Sequence, residues 1–390
     1  MNNVNLKRFV NVDINPHVAS KISTVRDTIA LFTPEGTLGN VKEFENLAEV
    51  TYATTSQTYA YLKIYFDNGG IKAKVYEGIG YGDLTEAILK SLPNELICVS
   101  CVVPDANVET GYAALKALAI SMNSDPDVYG INEKFIIART NDYTYVSQTD
   151  TYTVDSTKVK NFAVKFSSTF GAEMTIAAYV SQTDINKTDS VYDYAFTEEK
   201  DVIAEEDATV IDDVTGDEES KYENISFDKL YAAITKDSNM NVDIYLSNAI
   251  RNCGGNCKDG YDLINSFIRI VLHQTLTDEL MNLLTQKIKS VDGVSKIYAV
   301  LAQELEKYKN CGYLTTDKIW KDKPYIVNYN NENYTIINTG DALLNGYLIK
   351  ILPMASLTDQ DKENHSTPPI YVIIADQYGI RKITINGEII

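Results

Sequence analysis

The sequence predicts an α/β fold with α+β character in places: a mixed sheet core with flanking helices, a β-rich inserted region, and extended strand arms at the N- and C-termini. Three observations carry that reading. Nearly continuous apolar strands, LICVSCVV (Leu96 to Val103) and KFIIAR (Lys134 to Arg139), alternate with segments of helical spacing, as in a sheet covered on both faces. From about Tyr143 to Val180 the text changes to alternating Thr, Tyr, Val and Phe, which favours strands. The two ends of the chain carry strand-like alternation as well.

In chain order, Val4, Leu6, Val10, Val12 and Ile14 share one parity, as a half-buried strand requires, and Pro16 ends the run. A strand from Thr28 to Pro34 precedes a glycine-containing loop and an amphipathic stretch around Phe44, Leu47 and Val50. Tyr59, Leu62 and Phe66 set a helix over Thr55 to Asp67, which Asn68-Gly69-Gly70 closes, because glycine takes the left-handed C-cap geometry. A strand from Ile71 to Glu77, a helix from Leu84 to Leu92, the Leu96 strand, a helix over Val108 to Met122 and the Lys134 strand follow. MTIAAYV, near Val180, reads as a strand returning to the core. Two long helices then carry i, i+3, i+4 stripes, one through Phe267, Ile268, Val271, Leu272 and Leu276, the other through Ile297, Val300, Leu301, Leu305 and Tyr308. Roughly the last 75 residues return to β-like text: YIVNY, YTIINT, GYLIKILPM, PIYVIIAD and IRKITINGEII, separated by Asn, Gly and Pro turns. The divisions expected are an N-terminal arm (1–20), an α/β part (21–140), a β-rich region with an acidic insertion (141–225), a helical and β part (226–369) and a C-terminal strand arm (370–390).

Composition narrows the function. The 390 residues hold 35 basic and 54 acidic side chains, a formal charge of −19, which disfavours a surface that neutralises phosphates; nucleic acid is not an expected partner. No apolar run approaches the ~18 residues of a membrane helix, and the N-terminus lacks the apolar core of a secretory signal, so no membrane partner is expected. Five cysteines in a long chain do not form a disulfide framework and suggest a reducing compartment. Residues 198–223 contain 12 acidic side chains and two lysines, a balance of 2 − 12 = −10, the mark of a solvated loop or insertion. Asp237, Asn239 and Asn241 alternate like calcium ligands, but Val242 and Asn248 occupy the positions where that loop needs Gly and Glu.

Other chemistry is equally thin. Gly78, Gly80 and Gly82 in GIGYGD lie between a strand and a helix, with Asp105 after the next strand, as in a dinucleotide site. Asp83, however, occupies the third-glycine position, where a pyrophosphate would need to sit, and reads as a helix N-cap. Cys98 and Cys101, three apart on a strand, point to opposite faces and do not chelate. Cys253 and Cys257 lie in a glycine-rich loop, where small structural cysteines are the simplest reading. His17, His273 and His365 fall in an arm, a helix and a loop and form no triad. No catalytic residue, cofactor or metal is expected. The 27 tyrosines provide large amphipathic contact areas at modest entropic cost, which suits an assembly protein.

The order of segments resembles contractile tail sheath proteins of bacteriophages and related injection machines. AYLKIYFDNGGIKAKVYEG (Ala60 to Gly78) is similar to the family's helix ending in an aromatic pair, followed by Asn-Gly-Gly (Asn68, Gly69, Gly70) and a strand. Lys74 and Glu77 stand where arginine is more usual. PPIYVIIADQYGIRKITINGEII (Pro368 to Ile390) resembles the family's ending, and the helical pair from about Tyr261 to Tyr308, with Gly312 and Trp320 after it, is a weaker match. The resemblance implies a structural protein, not an enzyme, that polymerises with itself as stacked rings of six around a tail tube and contracts to drive the tube through the host envelope. It also implies tube, baseplate and tail terminator proteins as partners, a place in the virion after assembly in the host cytoplasm, and arm strands that join neighbouring subunits: Val4, Leu6, Val10, Val12 and Ile14 at one end, Ile380, Ile383, Ile385 and Ile389 at the other. Another tail or baseplate assembly protein, and a nucleotide-binding oxidoreductase resting on GIGYGD, are the alternatives.

Overall fold

The computed structural model describes residues 27–93, 96–124, 133–140, 161–167, 169–190, 209–211, 218–220, 250–252, 260–285, 290–363 and 366–375. Strands β1 (Thr28–Thr33) and β2 (Val41–Phe44), helix α1 (Gln57–Asp67), β3 (Lys72–Glu77), α2 (Glu86–Ser91), β4 (Cys98–Cys101), α3 (Val108–Ser124), β5 (Phe135–Thr140), β6 (Phe162–Phe166) and α4 (Met174–Gln182) make up the first half. The short strands β7 (Thr209–Ile211), β8 (Glu218–Ser220) and β9 (Ile250–Asn252) precede the long helices α5 (Gly260–Thr285) and α6 (Ser290–Asn310). The chain then forms β10 (Lys318–Ile319), β11 (Tyr325–Tyr329), β12 (Glu332–Ile337), β13 (Ala342–Leu343), β14 (Tyr347–Ile351), helix α7 (Asp359–Glu363) and β15 (Ile370–Ile374).

One seven-stranded sheet runs β2-β3-β1-β4-β5-β6-β9. Its five central strands are parallel, and antiparallel strands close both edges, β2 against β3 and β9 against β6. This is the expected mixed α/β sheet. Period-2 alternation sends Ile29, Leu31, Ala73, Val75, Cys98, Phe135 and Ile137 into a core shared with α1, α4, α5 and α6. Ala30, Phe32, Val99, Cys101, Ile136 and Ala138 face the opposite core, against α2 and α3. Cys98 and Cys101 thus lie on opposite faces, as their spacing requires.

Three local readings change. MTIAAYV is helical, not extended: α4 is buried from Met174 to Ser181, and a short apolar run that is hidden all round has no periodicity to separate helix from strand. The buried stripe of α1 is Thr58, Tyr61, Leu62 and Tyr65, whereas Tyr59 and Phe66 are half-exposed. Asp83 does not cap α2; Thr85 does, its side chain accepting the Ile88 N–H. The acidic span contributes the antiparallel β7–β8 pair, and the calcium-like run at 237–241 lies outside the described residues.

After α6 the chain forms three small antiparallel pairs, β10–β13, β11–β12 and β14–β15. The hairpin β11–β12 turns at Asn330 and Asn331, both with positive φ, a conformation asparagine tolerates better than most residues. β15 pairs with β14 from Ile370 to Ile374, so the segment expected as the C-terminal arm starts as a strand of its own subunit.

Candidate functional site

The Asn68-Gly69-Gly70 turn joins the C-terminus of α1 to the start of β3. Gly69 has φ +87°, the left-handed conformation that ends a helix without a side-chain penalty. Gly70 is required for a different reason: a Cβ there would overlap the ring of Tyr65, whose hydroxyl donates to Lys72 O at 2.9 Å. Gln182, at the end of α4, donates Nε2 to Asn68 O at 3.0 Å. The turn therefore fixes α1, β3 and α4 to one another.

Charged side chains gather at the carboxyl ends of the parallel strands. Glu77 closes β3 on the buried parity of Ala73 and Val75. Its carboxylate accepts from Tyr52 Oη at 2.7 Å, Thr37 N at 3.2 Å and Asn40 Nδ2 at 3.3 Å, and pairs with Lys42 Nζ at 2.7 Å. A Cβ on Gly36, at φ +84°, would fall on this carboxylate. The Lys42 ammonium and the Tyr52 hydroxyl, with the loop donors, pull the Glu77 pKa down to about 2.

A second cluster lies deeper. Glu173 is the N-cap residue of α4 but makes no cap hydrogen bond; its side chain turns inward instead. Oε1 accepts from Tyr61 Oη at 2.6 Å, and Arg139 Nε, at the end of β5, stands 3.6 Å from Oε2. Tyr61 Oη accepts in turn from Val103 N at 3.2 Å. The Arg139 guanidinium also reaches Asp105 in the β4–α3 turn, donates to Ser167 O at 3.3 Å and lies 5.8 Å from the Phe170 ring centre. Burial pushes the Glu173 carboxyl above its ordinary range, against the pull of Arg139 and the Tyr61 hydrogen bond.

The other sequence candidates are now placed. In GIGYGD, Asp83 Oδ2 accepts from Gly80 N at 3.4 Å, so the carboxylate folds back onto its own turn. Burial raises both the Cys98 and Cys101 thiols, the opposite of an activated or metal-binding thiolate. Among the described residues no group of three His, Cys, Asp or Glu side chains could hold a metal ion, and no helix is long and apolar enough to cross a membrane. His273 lies within α5; Cys253, Cys257, His17 and His365 lie outside the described residues. So do the arm residues Val4, Leu6, Val10, Val12, Ile14, Ile380, Ile383, Ile385 and Ile389. Sequence reasoning missed Tyr52, Tyr61, Arg139 and Glu173. Only Arg139, a cation ending an apolar strand, carried a visible signal.

Surfaces suited to strand pairing remain on the C-terminal part. Among the described residues β14 and β15 pair only with each other, so within that set each leaves one edge of the two-stranded sheet open. Tyr347 Oη, at the start of β14, donates to Glu306 Oε1 at 3.0 Å and Lys309 Nζ to Asn345 Oδ1 at 3.4 Å, which ties the pair to α6.

The fold is similar to that of chains in two solved contractile assemblies. A chain of the PVC sheath complex of an extracellular contractile injection system, in its contracted state, superposes with a TM-score of 0.53 at 13% identity, covering 97% of this chain and 96% of that one. A chain of the anti-feeding prophage (AFP) baseplate, also contracted, gives a TM-score of 0.54 at 13% identity and covers 97% and 98%. The sequence matches no protein-family model and no curated protein.

Proposed function

We propose that this chain is the sheath subunit of a contractile tail, a structural protein without enzymatic activity. The observation that carries the reading is the similarity of fold along 97% of the chain to a subunit of a contracted sheath complex. In this reading subunits stack as rings of six around a tail tube, and contraction drives the tube through the host envelope. The partners are further copies of the chain, the tube protein, the baseplate and the tail terminator. The subunit is assembled in the host cytoplasm and belongs to the virion.

The arm 1–20 and the part of the 370–390 segment that follows β15 join neighbours by strand addition, through Val4 to Ile14 and through Ile380, Ile383, Ile385 and Ile389. The edges of β14 and β15 that no described strand covers support this, because main-chain pairing needs only an unpaired strand. Heterologous contacts that do not close then generate a helix of subunits. The similarity to a baseplate chain favours, as a second reading, another assembly protein of the same tail.

Electron microscopy of the purified full chain tests the proposal against a version lacking residues 1–20. The full chain is expected to form tubes or stacked rings, and the shortened chain a folded monomer with unchanged circular dichroism. Normal tubes from the shortened chain would overturn the role of the arm; a full chain that forms no rings or tubes would overturn the sheath reading.

A further inference from the structure

Arg139 lies between two carboxylates of unlike surroundings. Its side chain and that of Glu173 are each 2% exposed, whereas Asp105 is 63% exposed. Asp105 therefore keeps its hydration, while Glu173 bears the cost of ionising in the interior. We propose that these three residues form a proton-operated latch: with Glu173 ionised the Arg139 guanidinium is shared by both carboxylates, and with Glu173 protonated the pull of Glu173 is lost while that of Asp105 remains.

The groups facing Glu173 come from every element packed around it. Tyr61 belongs to α1 and Arg139 to β5, Asp105 follows β4, and the Cys101 thiol at the end of β4 senses the same charge. Glu109, on α3, accepts the Thr140 hydroxyl at 2.9 Å beside Arg139. On β6, the buried Lys165 stands in register beside Arg139, so a second cation shares this end of the sheet. The proton can be accommodated without moving backbone. Tyr61 Oη, already an acceptor for Val103 N, has a second lone pair that can take a hydrogen bond from the Glu173 carboxyl in place of donating to it.

What the latch controls is the attachment of α4. This helix packs on α1, β1, β4 and β5, and Glu173 ties its first turn to the sheet by charge. On ionisation the tie is a charge pair with a desolvation cost; on protonation it is a neutral hydrogen bond. The latch is a property of the subunit itself and does not depend on the sheath reading.

The test compares the full chain with Asp105→Asn, Glu173→Gln and the double variant by urea unfolding at pH 5 and pH 8.5. Glu173→Gln copies the protonated state with little change of shape. In the wild type, Asp105→Asn should change the unfolding equilibrium constant at least about fivefold more at pH 5 than at pH 8.5, a coupling of the size expected for groups in contact. In the Glu173→Gln background the Asp105→Asn effect should be large and equal at both pH values. Asp105→Asn should also move the mid-point pH of Glu173 ionisation, followed by carboxyl carbon NMR, to lower pH, since one competing anion is gone. An Asp105→Asn effect independent of pH in the wild type, or an unmoved mid-point, would overturn the latch, whatever the chain assembles into.

Discussion

Glu77 accepts a hydrogen bond from a tyrosine hydroxyl and faces a cation, and so does Glu173, yet the first is a stronger acid than an ordinary glutamate and the second a weaker one. The difference lies first in burial, the largest influence on Glu173, and then in the number of donors and the distance of the charge. Glu77 sits beneath a loop whose backbone and side chains converge on it, and Lys42 approaches to 2.7 Å while keeping its own stem 40% exposed. Glu173 has the single hydroxyl of Tyr61 and a guanidinium 3.6 Å away that is already engaged by Asp105. Burial of a carboxylate thus decides nothing alone; the ionised form wins only when enough donors replace water.

Removing the better-supplied carboxylate should have the largest effect. Glu77→Ala leaves Lys42, Tyr52 Oη, Thr37 N and Asn40 Nδ2 without their common acceptor and opens a void beneath Gly36. Urea unfolding should show a loss of about 3 kcal/mol, the size seen when one partner of a buried ion pair is removed. A loss below about 1 kcal/mol would mean that water replaces the carboxylate and that the comparison with Glu173 fails.

The next effect is one of pH, with opposite signs at the two sites. The Glu77 pKa falls from 4.5 in the unfolded chain to about 2 in the fold, so its stabilisation is complete above about pH 4.5 and is lost as the pH falls toward 2. The Glu173 pKa is raised, so its cost is absent below the unfolded value and grows as the pH rises through the folded one. The stability difference between wild type and Glu77→Gln should therefore shrink by more than half between pH 6 and pH 3. Parallel profiles would place the ordinary acidity of Glu77 in the fold.

The two sites also differ in how far sequence reveals them. Ala73, Val75 and Glu77 share a parity, so the alternation of β3 already places a carboxylate on the core face. Its partners were not legible: Thr37, Asn40, Lys42 and Tyr52 approach through loops and an edge strand whose course depends on tertiary packing. Glu173 gave no signal at all. It begins α4, a helix hidden on every side whose text MTIAAYV looks equally like a strand, and an N-cap glutamate turned inward follows no local rule. The long helices and the parallel strands were readable because each buries one periodic stripe or a continuous apolar run. The arm residues could be named only by parity and resemblance, and they lie outside the described residues.

The smallest effect separates the two tyrosines. Tyr52→Phe takes one 2.7 Å hydrogen bond from a carboxylate that keeps Lys42, Thr37 N and Asn40, and the ring still lies beneath the Lys42 ammonium at 4.5 Å. The expected cost is about 1 kcal/mol at pH 7, with the acid transition of Glu77 moved to higher pH because one stabilising donor is lost. Tyr61→Phe removes the hydroxyl that both donates to Glu173 and accepts from Val103 N, so two buried groups lose a partner at once and the cost should rise to about 2 kcal/mol. As the pH falls and Glu173 takes up its proton, it depends less on that donor and the Tyr61→Phe penalty should shrink, whereas the Tyr52→Phe penalty should hold until Glu77 itself begins to titrate. Unfolding of both variants at pH 5 and pH 7 checks the ranking. If Tyr52→Phe proved the costlier of the two at pH 7, the number of remaining donors would not be what distinguishes the sites, and the proximity of Lys42 alone would have to explain the acidity of Glu77.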